Sequence, residues 1–365
     1  MSIFARLMVA VNEISLVHFK NYQEKTFVFD QPVVCITGQN GCGKTTILDA
    51  IYYLCFTKSY FVATDSLTIQ HGKQGMRVQG KFTKDKTYNV RCVIRENGKK
   101  ELSVDDELYT QFSKHIGKFM AVMIAPDDTA LITEGSELRR KYLDTLISQL
   151  DKEYLDSLIQ YNKVLQQRNS LLKQVAQGMP LNHALMDIYD QWLDQHGQII
   201  FKARKQYALV LSQKINQIYA ELSGEQEQVN CVYQSSLAEH SLLDLLTKSR
   251  AKDLITQRTH EGIHKDELVF TLNGMPFKQV ASQGQRKSFL FGLKFAQYEM
   301  LSASSAYTPI LLLDDIFEKL DQERGLRLIT YISKQEAHVF ITDTHQERLA
   351  KAFALIKAKV QFVEL

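Results

Sequence analysis

The sequence contains few of the features that mark secreted, membrane or zinc-binding proteins. Five cysteines occur among 365 residues, and their positions (35, 42, 55, 92 and 231) show no metal-ligand spacing. An odd number of cysteines, without a secretion signal in the start MSIFARLMVAV, predicts reduced thiols and a cytoplasmic location. No apolar segment approaches the length needed to span a bilayer, so we expect no membrane-spanning segment.

Net charge is also nearly absent. The 44 Lys and Arg residues against 41 Asp and Glu residues leave a formal charge of +3, which by itself identifies no partner. The apolar share of 45% and the charged share of 23% are ordinary for a globular protein. A chain of 365 residues is long for one hydrophobic core, so we expect two or three structural units.

The most informative segment runs from residue 33 to residue 53. Its apolar start, VVCI, predicts a buried strand, and a helix pattern follows. Between them lies a G-x-x-x-x-G-K-[ST] motif, whose glycines let backbone N–H groups converge on an anion at a helix N-terminus. Lys44 is expected to reach the β- and γ-phosphates, and the Thr45 hydroxyl to hold Mg²⁺. The predicted nucleotide-binding residues here are Gly38, Gln39, Asn40, Gly41, Cys42, Gly43, Lys44, Thr45 and Thr46.

A second motif has the composition expected of a magnesium site. The apolar strand ILLL ends in Asp314 and Asp315. Because Mg²⁺ takes few carboxylates and keeps its waters, one Asp beside a phosphate loop is sufficient. We assign Asp314 to Mg²⁺ through water and Asp315 to polarising the attacking water. The predicted catalytic residues are therefore Lys44, Asp314 and Asp315.

A third motif, Ala-Ser-Gln-Gly-Gln at 281–285, precedes a predicted helix, and we call it the signature segment. Ser282 is suited to cap that helix, and Gly284 leaves backbone N–H groups exposed. These features predict a second anion site formed by Ser282, Gly284 and Gln285. A plain helix cap is the alternative, and the position between the phosphate loop and the Asp pair favours the anion site.

The segment 76–103 alternates between apolar and polar residues, which predicts antiparallel strands with one apolar face. Asn97-Gly98 predicts a type I′ hairpin turn within it. Nine Lys or Arg residues and only two acids lie in 73–100, and a like-charge cluster is unfavourable without a polyanion opposite it. The alternative is a charged face that is only solvated. The predicted contacts with such a polyanion, of which a nucleic-acid backbone is one, are Arg77, Lys81, Arg91 and Arg95.

From residue 135 the pattern changes to long helical runs, which break at Gly178-Met179-Pro180 and resume to about residue 222. This predicts a helical hairpin, or arm, without the sustained heptads of a coiled coil. We expect three parts: an N-terminal ATPase lobe with the phosphate loop and the basic sheet (1–134), the arm (135–250), and the C-terminal part of the ATPase head (251–365).

The order of these motifs resembles the ATPase head of ABC- and SMC-type proteins, and the chain is more closely similar to the bacterial RecF family. A single match of this kind is common, but eight in order along nearly the whole chain are specific. The resemblance implies an α/β fold: a P-loop ATPase head of the ABC/SMC type with an antiparallel β subdomain and an inserted helical arm. The matching segments are HFKNY (18–22), GQNGCGKTTILDAIY (38–52), APDD (125–128), RRKYLD (139–144), GIHKDEL (262–268), ASQGQRKS (281–288), LLLDDIFEKLD (311–321) and VFIT (339–342).

The resemblance implies an ATP-gated homodimer that binds DNA (single-stranded, gapped or duplex) in recombinational repair and replication. ATP and Mg²⁺ at Lys44 and Thr45 of one subunit would be closed over by Ser282 and Gly284 of the other. Asp321 would lie near the subunit boundary. Further implications are weak DNA-stimulated ATP hydrolysis, RecA loading with RecR and RecO, and a part in the SOS response. The alternatives are an SMC-like structural ATPase and a soluble ABC-type regulator acting on proteins, which DNA-stimulated hydrolysis would distinguish.

The chain departs from the ABC pattern at three functional positions. Asp replaces the usual catalytic Glu at 315, which implies slow hydrolysis. Asp343 stands where the switch His is expected, and His345 and His264 are the candidates for that role. No Gln follows the predicted strand MAVMI, so Asp127 or Asp128 is the candidate to replace it at the metal.

Overall fold

The computed structural model describes residues 7–223, 227–317, 322–356 and 359–365. Most strands lie towards the two ends of the chain, and the longest helices lie in its middle. The strands are β1 (Leu7–Met8), β2 (Ala10–Phe19), β3 (Tyr22–Val28), β4 (Val33–Thr37), β5 (Met76–Thr83), β6 (Thr87–Ile94), β7 (Lys100–Val104), β8 (Glu107–Leu108), β9 (Ala121–Ile124), β10 (Val229–Gln234), β11 (Glu267–Leu272), β12 (Met275–Pro276), β13 (Tyr307–Thr308), β14 (Ile310–Leu313), β15 (Val339–Asp343) and β16 (Val360–Glu364). The helices are α1 (Lys44–Phe56), α2 (Ala130–Thr133), α3 (Ser136–Ser148), α4 (Lys152–Ala176), α5 (His183–Ser223), α6 (Leu242–Thr256), α7 (Phe277–Val280), α8 (Gln283–Ala303), α9 (Gln322–Ser333) and α10 (Gln346–Ile356).

The chain divides into two compact units. The first comprises Met1–Asp128, Glu221–Gly224 and Phe291–Leu365, and the second comprises Thr129–Ala220 and Glu225–Leu290. The three-part division expected from the sequence concerns functional segments and stays a prediction. None of the helices in the described ranges is both long and apolar enough to cross a lipid bilayer.

A five-stranded parallel sheet in the first unit carries the nucleotide motifs. Its order is β16-β4-β15-β14-β9, and every neighbouring pair is parallel. Every residue of β4, β14 and β15 is buried, as is typical of parallel strands that are covered on both faces. Because the carboxyl ends of parallel strands meet at one edge, the segments that follow β4, β14 and β15 converge there.

A six-stranded antiparallel sheet in the order β3-β2-β5-β6-β7-β8 forms the other half of the first unit. The predicted alternation is confirmed, since buried and exposed residues alternate along β5. The predicted type I′ turn at Asn97-Gly98 is wrong. That turn needs positive φ at both central residues, whereas Gly98 has φ of 76° and Asn97 does not lie in that region. Here the Gly98 N–H donates to the Arg95 carbonyl (2.8 Å), so the loop is longer.

Helix α1 is buried on almost every side, because it packs against strands of both sheets in the first unit. Of its 13 residues, 12 are buried, which explains why the helix is apolar all around rather than on one stripe. The strand–loop–helix unit predicted around the phosphate loop is therefore confirmed, and residues of its strand and helix belong to the hydrophobic core of the first unit.

The second unit contains the predicted helical hairpin, which α4 and α5 form on either side of a break near Gly178. Two arginines in this unit are almost fully buried among acids. Arg168 pairs with Asp190 and Asp253, both at 2.7 Å. Loss of one partner from such a buried pair leaves an uncompensated charge, which is strongly destabilising. The strand β10, which pairs antiparallel with β11, was not predicted from the sequence.

The second buried arginine, Arg204, connects two of the segments that carried the family resemblance. Its guanidinium donates to Asp144 of the RRKYLD segment (2.8 Å) and to Asp266 of the GIHKDEL segment (3.4 Å). It also donates to the Ile263 carbonyl (2.7 Å). These charged segments therefore hold the second unit together.

Candidate nucleotide-binding site

The phosphate loop occupies residues 38–43, between the end of β4 and the start of α1. Gly43, just before the helix, has φ of 110°, which favours glycine. A Cβ at this position would come within 2.6 Å of the Tyr22 Oη and 2.7 Å of the Asn21 Nδ2. Glycine is therefore required here by both backbone conformation and space.

The HFKNY segment packs beside this loop and its helix. Lys20 forms an ion pair with the fully buried Asp49 of α1, at 2.7 Å. Burial, followed by the nearby Cys42, raises the pKa of Tyr22 to about 12, so its hydroxyl stays protonated at neutral pH. That hydroxyl lies 3.5 Å from the carbonyls of Cys42 and Gly43. The segment thus supports the phosphate loop, a role that its sequence alone did not reveal.

Lys44 is buried and its ammonium group folds back over the loop. Its Nζ donates to the carbonyl of Gly38 (2.8 Å) and to that of Gln39 (3.0 Å). Neutral carbonyls are weaker acceptors than phosphate oxygens, so an arriving phosphate would compete well for this cation.

Two hydroxyls converge on Asp314 at the carboxyl edge of the parallel sheet. The Thr45 Oγ1 donates to the carboxylate at 2.9 and 3.0 Å, and the Thr342 Oγ1 donates to it at 2.7 Å. Burial raises the pKa of Asp314 above its usual range, and the hydrogen bonds from Thr342 and Thr45 oppose that rise. Hydroxyl and carboxylate oxygens are the ligands that Mg²⁺ prefers, so Thr45 and Asp314 fit the metal predicted for them.

Asp315 follows directly, with a backbone φ of 43° that is unusual for a residue other than glycine. Its N–H donates to the Thr342 Oγ1 at 2.8 Å. Thr342 therefore contacts the Asp314 carboxylate and the Asp315 backbone, a role that the VFIT segment did not reveal in the sequence. Asp321, which we expected near a subunit boundary, lies outside the described residues.

The two candidates for the switch histidine differ in their surroundings. His345 is exposed just beyond β15, and its N–H donates to Asp343 (2.8 Å), whose buried carboxylate also pairs with Arg348 (2.5 Å). His264 lies in the second unit, where its ring nitrogens bond to the Tyr161 Oη (2.9 Å) and a backbone carbonyl (3.2 Å). Burial lowers the pKa of His264 to about 4. Its ring is thus engaged within its own unit, and His345 is the candidate at the sheet edge.

Asp128 is committed to a buried network. Its carboxylate pairs with Lys294 (3.0 Å) and accepts the Ala125 N–H (2.8 Å) and the Tyr60 hydroxyl. Moving it to a metal would take the carboxylate partner away from the buried ammonium group of Lys294, which is costly. Of the two candidates for the missing Gln, the exposed Asp127 is the better placed to move.

The signature segment lies in the second unit, at the start of α8. The predicted cap is confirmed, because the Gln285 N–H donates to the Ser282 Oγ at 3.2 Å. Ser282 is exposed, and the Gln285 side chain reaches Glu227 (2.5 Å). Glu227 is a neighbour that sequence inspection missed, because 58 positions separate it from Gln285.

The basic residues of the antiparallel sheet lie where the alternation places them, but the sequence-based premise of uncompensated charge is wrong. Acids outside the segment 73–100 pair with three of the four cations. These pairs are Lys81–Glu13 (3.0 Å), Arg91–Asp106 (3.1 Å) and Arg95–Glu101 (2.7 Å). The exception is Arg77, whose side chain forms no hydrogen bond or ion pair with any described residue. Arg77, Arg91 and Arg95 line a groove of about 1040 Å³.

Comparisons with known proteins agree with this arrangement. The family model "RecF/RecN/SMC N terminal domain" matches residues 10–363. The DNA replication and repair protein RecF of Flavobacterium johnsoniae is 42% identical over 340 residues, covering 93% of this chain and 95% of its own. That of Cytophaga hutchinsonii is also 42% identical, covering 93% of this chain and 90% of its own.

Solved structures show the same relationship. A structure described as the recombination mediator protein RecF-ATP in the RecFOR pathway superposes with a TM-score of 0.87 at 30% identity, covering 95% of each chain. An Smc head domain from Pyrococcus furiosus superposes with a TM-score of 0.55 at 16% identity, covering 94% of this chain and 92% of its own, and shows the shared fold alone. The predicted ABC/SMC-type head is thus confirmed, and the chain belongs to the RecF family of DNA replication and repair proteins.

Proposed function

We propose that this protein is an ATP-gated homodimer that binds DNA and acts in recombinational repair together with RecR and RecO. The observation that carries the proposal is the contact between Thr45 and Asp314 beside the phosphate loop. A solved relative described as a RecF-ATP complex supports ATP as the nucleotide.

In this proposal, backbone N–H groups of residues 38–46 surround the phosphates and Lys44 neutralises their charge. Thr45 and Asp314 would hold Mg²⁺, which when bound supplies positive charge to the β- and γ-phosphate oxygens. Asp315 accepts a proton from the attacking water as ATP is hydrolysed to ADP and phosphate. An Asp reaches less far than a Glu, so we expect slow turnover.

The partner subunit would complete the site. Ser282 caps α8, Gly284 and Gln285 lie in its first turn, and a helix N-terminus offers N–H donors and a favourable dipole to an anion. ATP bound at one phosphate loop would therefore be closed over by the signature segment of the partner. Hydrolysis would remove the γ-phosphate and loosen the pair.

DNA would bind along the outward face of the antiparallel sheet. Ion pairs between exposed side chains contribute only about 0 to 1 kcal/mol, so DNA phosphates can replace Glu13, Asp106 and Glu101 as partners of the cations. Arg77, Lys81, Arg91 and Arg95 would contact the DNA backbone without reading its sequence. In a dimer both subunits would present this face, and closure by ATP would tighten binding through two linked contacts. By resemblance, the biological outcome is loading of RecA at gaps and induction of the SOS response.

The test is ATP hydrolysis with and without a gapped duplex. Stimulation of a slow basal rate, absent in Asp315→Asn, is the expected result. A hydrolysis rate that does not change with DNA but increases with added RecR or RecO would instead favour a regulator that acts on proteins. A hydrolysis rate equal in the parent and Asp315→Asn would contradict the assigned site.

A further inference from the structure

The start of α8 satisfies two of its own backbone donors through a reciprocal pair of hydrogen bonds. The Gln285 N–H donates to the Ser282 Oγ (3.2 Å), and the Ser282 N–H donates to the Gln285 Oε1 (2.7 Å). This arrangement is a capping box, in which a side chain inside the helix closes back on the capping residue. The Ser282 N–H, one of the donors that a phosphate at this helix end could use, is therefore already occupied.

Glu227 determines which way the Gln285 amide faces. The Gln285 Nε2 donates to the Glu227 Oε1 (2.5 Å), and the Tyr219 hydroxyl donates to the Oε2 of the same carboxylate (2.5 Å). An ionised carboxylate only accepts hydrogen bonds, so the amide presents its NH₂ group to Glu227 and its oxygen to Ser282. Tyr219 is fully buried and its ring packs against Phe289 of α8, which holds the carboxylate in place.

The backbone next to Glu227 is fixed independently of α8. The Gln228 N–H donates to the Asn273 Oδ1 (2.9 Å), and the Val229 N–H donates to the Asn216 Oδ1 (3.3 Å). Val229 then begins β10, which pairs with β11. Glu227 is thus a fixed acceptor against which the Gln285 side chain rests.

The charge of Glu227 opposes a second anion at the same place. A carboxylate near a helix N-terminus stabilises that helix end when it is otherwise empty. A phosphate approaching Ser282 would be repelled by this carboxylate and would have to displace the Gln285 oxygen from the Ser282 N–H. Both effects favour the empty, self-capped state of the signature segment.

We propose that Glu227 is a positioning residue that restrains Gln285 and thereby opposes capture of the partner's γ-phosphate by the signature segment. This inference rests on the proposed ATP-closed dimer. Closure of the dimer requires the Gln285 side chain to leave the Ser282 N–H. Because the contact with Glu227 opposes that movement, it lowers the affinity between the two ATP-bound subunits. If Glu227 merely supported the signature segment, its substitution would weaken closure of the dimer instead of strengthening it.

The experiment compares the parent protein with Glu227→Gln and Glu227→Ala by sedimentation velocity at saturating ATPγS, a slowly hydrolysed analogue. Glu239→Gln, an exposed glutamate in the same unit, is the matched control. We expect the Kd for dimerisation to fall about fivefold in Glu227→Gln and further in Glu227→Ala, within the usual range of coupling between sites. ATPγS affinity at low protein concentration, where the chain is monomeric, should not change.

The sign of the shift decides the proposal. Dimerisation that is unchanged in Glu227→Gln and weaker in Glu227→Ala would identify a purely supporting residue and overturn the inference alone. A dimerisation Kd that is unchanged in both variants would also overturn the inference. If the parent protein formed no dimers with ATPγS, the proposed function would fail, and this inference with it.

Discussion

The Thr45 hydroxyl donates a hydrogen bond to the Asp314 carboxylate at 2.9 Å, although 269 positions separate the two residues. Thr342 donates to the same carboxylate and accepts the Asp315 N–H, so one hydroxyl near the end of β15 contacts the side chain of Asp314 and the backbone of Asp315. Three parallel strands from distant parts of the chain thus bring the phosphate loop, Asp314 and Asp315 to one sheet edge.

Lys44→Ala should weaken ATP binding by about 100-fold, since each hydrogen bond from a charged group contributes roughly 1.5 to 3 kcal/mol. Calorimetric titration with ATP and Mg²⁺ measures the effect. Lys163→Ala, which removes an exposed lysine of the second unit, is the control and should bind ATP normally. Undiminished affinity in Lys44→Ala would show that the phosphates lie elsewhere.

Asp315→Asn should leave ATP affinity intact and slow hydrolysis by about 100-fold or more, because it removes the base but keeps its size. Asp314→Asn should instead weaken the dependence of ATP binding on Mg²⁺, because it removes the negative charge that faces the metal. Single-turnover hydrolysis tests the effect of Asp315→Asn, and ATP binding titrated with Mg²⁺ tests the effect of Asp314→Asn. If Asp315→Asn hydrolysed ATP at the parent rate, the division of roles between the acids would be wrong.

The local elements around the nucleotide were predictable from the sequence because they depend on short patterns. The strand–loop–helix at Gly38–Thr45, the alternating strands and the helical hairpin all follow from periodicity and glycine placement. What could not be predicted depends on pairing across long separations. Glu13 opposite Lys81 and Glu227 on Gln285 are contacts that only the folded chain creates.

Stability should fall as pH is lowered from about 6.5 towards 4. Burial lowers the pKa of His338 to about 4, and its Nδ1 accepts the Val11 N–H at 2.8 Å, which requires the neutral ring. The unfolded chain, with an ordinary histidine pKa near 6.5, binds the proton that the folded chain excludes, so acid favours unfolding. Burial lowers the pKa of His115 and His264 in the same way.

Each such histidine should contribute up to about 1.4 kcal/mol of lost stability per pH unit within that window. Urea unfolding at several pH values measures the slope. His338→Gln should reduce it, because its amide oxygen can accept the Val11 N–H but does not titrate here. A slope equal to that of the parent would contradict the assignment.

DNA affinity should be insensitive to sequence and should fall steeply with salt. Arg77→Ala should reduce the slope of log affinity against log salt by about 0.7 to 0.9, and Arg91→Ala with Arg95→Ala by roughly twice as much. Lys141→Ala, from an exposed ion pair with Glu137 in the second unit, is the control. Unchanged slopes, with folding and ATP binding intact, would mean that DNA binds on another face.

The most direct test of the central claim is the molecular mass of the protein in solution with ATP, with ADP and without nucleotide, in the parent and in Ser282→Arg. Sedimentation velocity should show dimers for the parent with ATP only. Ser282→Arg should bind ATP normally and remain monomeric, because a bulky side chain occupies the helix end that would receive the partner's γ-phosphate. Dimers of Ser282→Arg that form with ATP as readily as those of the parent would contradict the account and return the signature segment to an ordinary helix cap.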